Sequence, residues 1–105
     1  MPRHYLLDEN KNPYEVSLEE GLKVYEDMSM KIVQQDRLDN GVFVSTVFLG
    51  LDHSWSDSLN HEPVLFETMI FEGPYDQYQV RYTTYNNALN GHKQALELVK
   101  KSKKE

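Results

Sequence analysis

The chain has 105 residues, no cysteine and a formal net charge of −6. That length supports one hydrophobic core but not two, and the missing thiols exclude disulfides, thiolate metal sites and cysteine catalysis. An acidic surface repels phosphate backbones, so no direct nucleic-acid binding is expected.

Residues 4–16 hold a short apolar patch, Tyr5-Leu6-Leu7, followed by the turn signal Asp8-Glu-Asn-Lys-Asn-Pro13. They predict an N-terminal arm or edge strand, residues 1–16, that turns back into a helix. Ser17-Leu-Glu-Glu20 then matches a capping box. Leu18, Leu22, Tyr25 and Met28 share one face of the helix that follows, with Glu19, Glu20, Lys23, Glu26 and Asp27 turned largely to water. The helical pattern fades near Ser29.

From Met30 the period changes. Met30, Ile32 and Gln34 alternate with Lys31, Val33 and Gln35, and Asp39-Asn40-Gly41 is a tight-turn signal. The spacing predicts a hairpin of 30–37 with 42–51; a helix continued to Asp36 is the competing reading. The runs Val42–Leu51 and Pro63–Phe71, joined by the polar loop 52–62, read as the two central strands of an antiparallel sheet. After Gly73-Pro74 a fourth strand is expected over 77–84. Thr84 is the expected N-cap of a last helix reaching about Lys101, with Ala88, Leu89, Ala95, Leu96 and Val99 as its apolar stripe. Gly91 is expected to weaken that helix by about 1 kcal/mol relative to Ala. Residues 100–105 hold four lysines against one glutamate and read as a frayed basic end, favourable to the helix dipole.

The predicted fold is therefore α+β and a single domain over residues 1–105. A four-stranded antiparallel meander is flanked by an N-terminal and a C-terminal helix packed on one face. Strand alternation puts Val42, Val44, Thr46 and Phe48 on one face and Phe43, Ser45, Val47, Leu49 and Leu51 on the other. Likewise Val64, Phe66, Thr68 and Ile70 oppose Leu65, Glu67, Met69 and Phe71. Both faces are substantially apolar, yet two helices cover only one. A homodimer or stable hetero-partner on the open face is the expectation; a cover made by the N-terminal arm and loop 52–62 is the competing one. No segment has the roughly 20 apolar residues of a membrane span, and the N-terminus lacks a signal-peptide centre, so a soluble cytoplasmic protein is expected.

Candidate chemistry gathers where loop 52–62 begins and ends. Asp52 and His53 close one central strand, and His61 and Glu62 precede the next. Such groups can ligate a divalent ion or orient a general base. No metal-ligand spacing such as HExxH is present, and solvated loop residues are the ordinary reading, so no metal, cofactor or catalytic residue is assigned. Trp55 reads either as a lid on the sheet end or as a residue that anchors a partner or stacks on a base. Glu67 and Arg81 fall on adjacent strands, where a cross-strand ion pair competes with a ligand-orienting pair. His92 is read as a packed or exposed helix histidine rather than a ligand. Walker, GxGxxG, GxSxG and basic helix-turn-helix signatures are missing.

The string Val44-Ser-Thr-Val-Phe-Leu-Gly-Leu-Asp-His53, with Leu65-Phe-Glu-Thr-Met-Ile-Phe71, Gly73-Pro74, Arg81-Tyr82 and Gly91-His92, resembles a family of short bacteriophage and prophage proteins. The resemblance spans roughly residues 5–98 and includes the opening Tyr5-Leu-Leu-Asp-Glu-Asn10; loop 54–62 departs from the family's glycine- and proline-rich form. It implies no activity, only a setting: a small accessory protein acting in the bacterial cytoplasm. Asp52, His53, Glu67, Thr68, Arg81 and His92 match the family's polar positions. The leading functional expectation is a non-enzymatic protein that binds and modulates a bacterial macromolecule, such as an inhibitor of a defence system of the anti-CRISPR kind. The alternative is a small-ligand protein, a signalling-nucleotide sponge or hydrolase, using Asp52, His53, Glu67, Arg81 and His92.

Overall fold

A computed structural model describes residues 3–26, 31–52 and 62–102. The chain is α+β, with a two-stranded sheet, a four-stranded antiparallel meander and a long C-terminal helix.

The N-terminal arm is a hairpin, β1 (His4–Leu7) with β2 (Pro13–Val16). Its turn forms because the Asp8 carboxylate accepts from the backbone N–H groups of Asn10 at 2.8 Å and Asn12 at 2.9 Å. That is the Asx chemistry the turn signal promises. Backbone bonds from Tyr5 N–H to the Gly50 carbonyl and from Asp52 N–H to the Arg3 carbonyl anchor the hairpin to the main sheet. Tyr5, Leu6 and Leu7 then close one end of the core.

Helix α1 (Leu18–Glu26) starts at the predicted cap: Glu20 N–H donates to the Ser17 hydroxyl at 3.2 Å. It packs against β1, where Gly21 meets His4 so closely that a Cβ would lie 2.8 Å from the imidazole Nδ1. Leu18 and Leu22, read as facing the core, are turned outward, with Leu18 60% exposed. The helix buries its Gly21 side instead, because only a residue without a side chain lets it approach β1. The expected helix end near Ser29 lies outside the described residues.

Strand β3 (Ile32–Arg37) pairs with β4 (Phe43–Phe48), so the hairpin reading holds and the continued helix does not. The turn is closed by Val42 N–H donating to the Asn40 side chain, with Gly41 at φ 87°. β5 (Phe66–Phe71) and β6 (Gln79–Tyr82) complete the order β3-β4-β5-β6. Helix α2 (Tyr85–Ser102) starts on the predicted cap, with Asn87 N–H donating to the Thr84 hydroxyl at 3.1 Å.

Helix α2 lies across all four strands, on the face carrying Val44, Thr46 and Phe48. The core beneath it is split. One cluster holds Phe48, Leu65, Phe66 and Ala88; the other holds Val42, Val44, Ile70, Ala95 and Val99. Leu65, assigned by alternation to the opposite face, belongs to the first cluster because it precedes the start of β5. On each of three elements one polar residue falls between the clusters: Thr46 on β4, Thr68 on β5 and His92 on α2.

Candidate functional site

That polar layer is a continuous chain of hydrogen bonds. Thr46 and Thr68 are direct register partners, with their hydroxyl oxygens 2.5 Å apart. The Thr46 hydroxyl is 2.7 Å from His92 Nδ1, and His92 Nε2 is 2.7 Å from an Asp36 carboxylate oxygen. Gln34 Nε2 donates to that same oxygen at 3.1 Å. A carboxylate only accepts, so Nε2 carries a proton; in the neutral ring Nδ1 accepts from Thr46, which accepts from Thr68. Every hydroxyl proton in that arrangement is used once.

A hydroxyl, an imidazole and a carboxylate in series is the arrangement of a nucleophilic triad. Access decides against that use. Thr46, Thr68 and His92 each have 0% exposure, and only the Asp36 end of the chain touches water. A nucleophile needs an approaching carbonyl or phosphoryl group, and the closed core beneath α2 leaves no room for one. The arrangement can hold β3, β4, β5 and α2 together without leaving a buried donor unpaired.

The electrostatics fit this role. The hydrogen bond from His92 holds the Asp36 carboxyl below its ordinary value, helped by Gln34 and the charge of Lys100 and opposed by burial. Burial pushes the Tyr82 phenol up. Its hydroxyl lies near Thr68, which offsets part of that rise, but it makes no well-formed hydrogen bond.

The other face of the sheet carries a different constellation. The Glu67 carboxylate accepts from Arg81 Nε at 2.9 Å and from Gln79 Nε2, bridging β5 to β6. Gln35 donates to Ser45 at 2.9 Å across β3 and β4. Phe43 and Phe71 stack with centroids 6.1 Å apart, and the Arg37 guanidinium lies 4.8 Å from the Phe43 centroid.

The nine residues singled out in the sequence therefore separate. Thr68 and His92 belong to the buried chain. Glu67 and Arg81 form the cross-strand pair on the opposite face. Asp52 holds the two ends of its loop together, its carboxylate accepting from Val64 N–H at 2.9 Å. Glu62 is exposed, and His53, Trp55 and His61 lie outside the described residues. Among the described residues no three His, Cys, Asp or Glu gather to hold a metal ion.

Asp36 and Thr46 were not among the sequence candidates. A threonine inside the stripe Val42, Val44, Thr46, Phe48 was the available signal, because an inward polar residue needs a partner. Asp36 gave none, since a carboxylate on an edge strand ordinarily points to water.

No family model, no curated protein and no solved structure matches this chain. No described helix is long and apolar enough to cross a membrane.

Proposed function

We propose that this is a small non-enzymatic binding protein that docks a protein partner on the sheet face opposite α2. In the setting implied by its phage-like motifs, the partner is a bacterial macromolecule, such as a component of a defence system, acted on in the cytoplasm. The observation that carries the reading is the division of labour between the faces. The triad-like chain is closed off beneath α2, whereas Phe43, Val47, Met69 and Phe71 lie on a face over which no described helix packs. Phe71 is 41% exposed. Phenylalanine, methionine and arginine are the residues that concentrate in interface centres, and Arg37 and Arg81 flank the patch. Glu67 is neutralised within the face by Arg81, so a partner meets no buried uncompensated carboxylate.

A second copy of the chain is one such partner, as an apolar sheet face is self-complementary under two-fold symmetry. The small-ligand alternative draws no support from the site, because Glu67 and His92 project from opposite faces and share no cleft. The test is substitution of Phe71 by Glu, which puts a charge on the more exposed of the patch's two phenylalanines and leaves the core untouched. Self-association or capture of a bacterial partner by the parent chain, lost in Phe71→Glu, supports the reading. Retention by Phe71→Glu contradicts it.

A further inference from the structure

We infer that Asn40 is a site of spontaneous covalent modification. The Gly41 backbone nitrogen attacks the Asn40 carboxamide at the hairpin tip to give isoaspartate, while the fold protects the identical dipeptide Asn90-Gly91. The inference stands apart from the docking face and does not depend on it.

The chemistry needs nothing beyond water. The Gly41 nitrogen gives its proton to solvent and forms a bond to Asn40 Cγ. The Cγ–Nδ2 bond breaks, and that nitrogen leaves as ammonia with a proton taken from water. Water then opens the resulting succinimide ring at either carbonyl. One opening leaves an aspartate; the other reroutes the main chain through the former side chain and leaves an isoaspartate. A glycine after the asparagine favours ring closure, because no Cβ crowds the attacking nitrogen. The chain carries this dipeptide twice, at 40–41 and at 90–91.

At the hairpin tip both residues are exposed. A Cβ placed on Gly41 would meet nothing within 4 Å, so base and water reach its nitrogen. Asn40 Oδ1 accepts from Val42 N–H at 3.1 Å. That bond folds the carboxamide back along the next two residues, with the Gly41 nitrogen inside the ring it closes, and it draws electron density from Cγ. The opposing feature is the bond from Gly41 N–H to the Leu38 carbonyl at 3.0 Å. It closes an exposed turn, where local opening costs least.

The second dipeptide is held differently. Asn90 is exposed, but Gly91 is buried. Position 91 is interior to α2, so its N–H belongs to the helix ladder. Gly91 also packs against Tyr82 with no room for a further atom. Attack there requires α2 to open beside His92, which is fully buried in the polar layer. Such an opening draws on most of the unfolding free energy.

The product alters the turn. In isoaspartate the former side-chain carbonyl becomes the main-chain one and the backbone gains a methylene. The 2.8 Å bond from Leu38 N–H to the Val42 carbonyl must then span a longer loop. Val42 lies in the second apolar cluster and Leu38 packs against it, so the change loosens that end of the sheet.

The test is incubation of the full chain in mildly alkaline buffer, folded and in urea. Mass spectrometry of its peptides, with fragmentation that separates isoaspartate from aspartate, follows each site. In the folded chain Asn40 is expected to convert at least about tenfold faster than Asn90, since one amide needs only a local opening. Conversion accelerates with pH, releases ammonia in step and yields more isoaspartate than aspartate. In urea the two sites react at similar rates. Equal rates in the folded chain overturn the inference, as does an Asn40 that is inert until urea is added. A preference for Asn40 that persists unchanged in urea overturns it too, because the fold then selects nothing. Aspartate formed without isoaspartate rules out the succinimide route.

Discussion

His92 and Asp36, separated by 56 positions in the chain, meet through a 2.7 Å contact that ties the middle of α2 to the edge strand β3. The contact ends a polar layer of Thr68, Thr46 and His92 that divides the core into two apolar clusters. Such a layer costs stability wherever one member is unpaired and specifies alignment wherever all are paired. Only one registration of α2 along the sheet places His92 over Thr46 and against Asp36. We therefore regard the layer as the device that fixes the helix on the sheet.

His92→Leu tests that role. It leaves the Thr46 hydroxyl without its acceptor in the core and strips Asp36 of its principal donor, so a loss of about 3 kcal/mol is expected. Urea unfolding measures it. The triple variant His92→Leu, Thr46→Val, Thr68→Val regains most of the loss, because it removes the stranded hydroxyls as well. A triple variant no more stable than His92→Leu alone contradicts the account of the layer.

Acid sensitivity follows from Asp36. Its pKa is lowered in the folded state, chiefly by the hydrogen bond from His92, so the folded chain holds the carboxylate form more tightly than the unfolded chain does. The stabilisation is complete above the unfolded pKa of about 3.9 and disappears as pH falls through the lower folded value. Urea unfolding between pH 3 and pH 6 is expected to show a stability decline on the acid side that Asp36→Asn makes shallower, with the variant already weaker at neutral pH. Parallel pH profiles for the two proteins contradict the assignment.

Gly91 reverses a rule of helix propensity. Alanine ordinarily stabilises a helix interior by about 1 kcal/mol over glycine. Here the added Cβ meets not only the Tyr82 oxygen but ring carbons at 2.2 and 2.5 Å, inside a closed contact. Gly91→Ala is expected to destabilise by about 2 kcal/mol, in the range of overpacked cores. Thermal unfolding reports the sign. Tyr82→Phe does not rescue the variant, since the ring itself obstructs, whereas Tyr82→Ala removes the clash and makes the further cost of Gly91→Ala small.

The main sheet was legible because its signals are local. Val, Ile, Phe and Thr runs with turn residues between them define β4, β5 and β6; Asn40-Gly41 closes the β3–β4 hairpin, and Ser17 and Thr84 cap the helices where the pattern placed them. The Glu67–Arg81 pair followed from alternation on adjacent strands. The orientation of α1 was not legible, because Leu18 and Leu22 carry a core-facing pattern while contact with His4 requires Gly21, a long-range demand. The polar layer was seen only in fragments. Thr68 and His92 stood out as polar residues in motif strings, but their link through Thr46 to Asp36 depends on how α2 lies over the sheet, which no local period encodes.

The most direct measurement compares the parent chain with Phe71→Glu: the molar mass, by light scattering, of the species each forms in buffer and after passage through a bacterial lysate. A mass above that of the monomer is expected for the parent in at least one condition and a monomer for Phe71→Glu, with unchanged thermal unfolding. A parent chain that stays monomeric in both conditions, or a Phe71→Glu variant that assembles as the parent does, contradicts it.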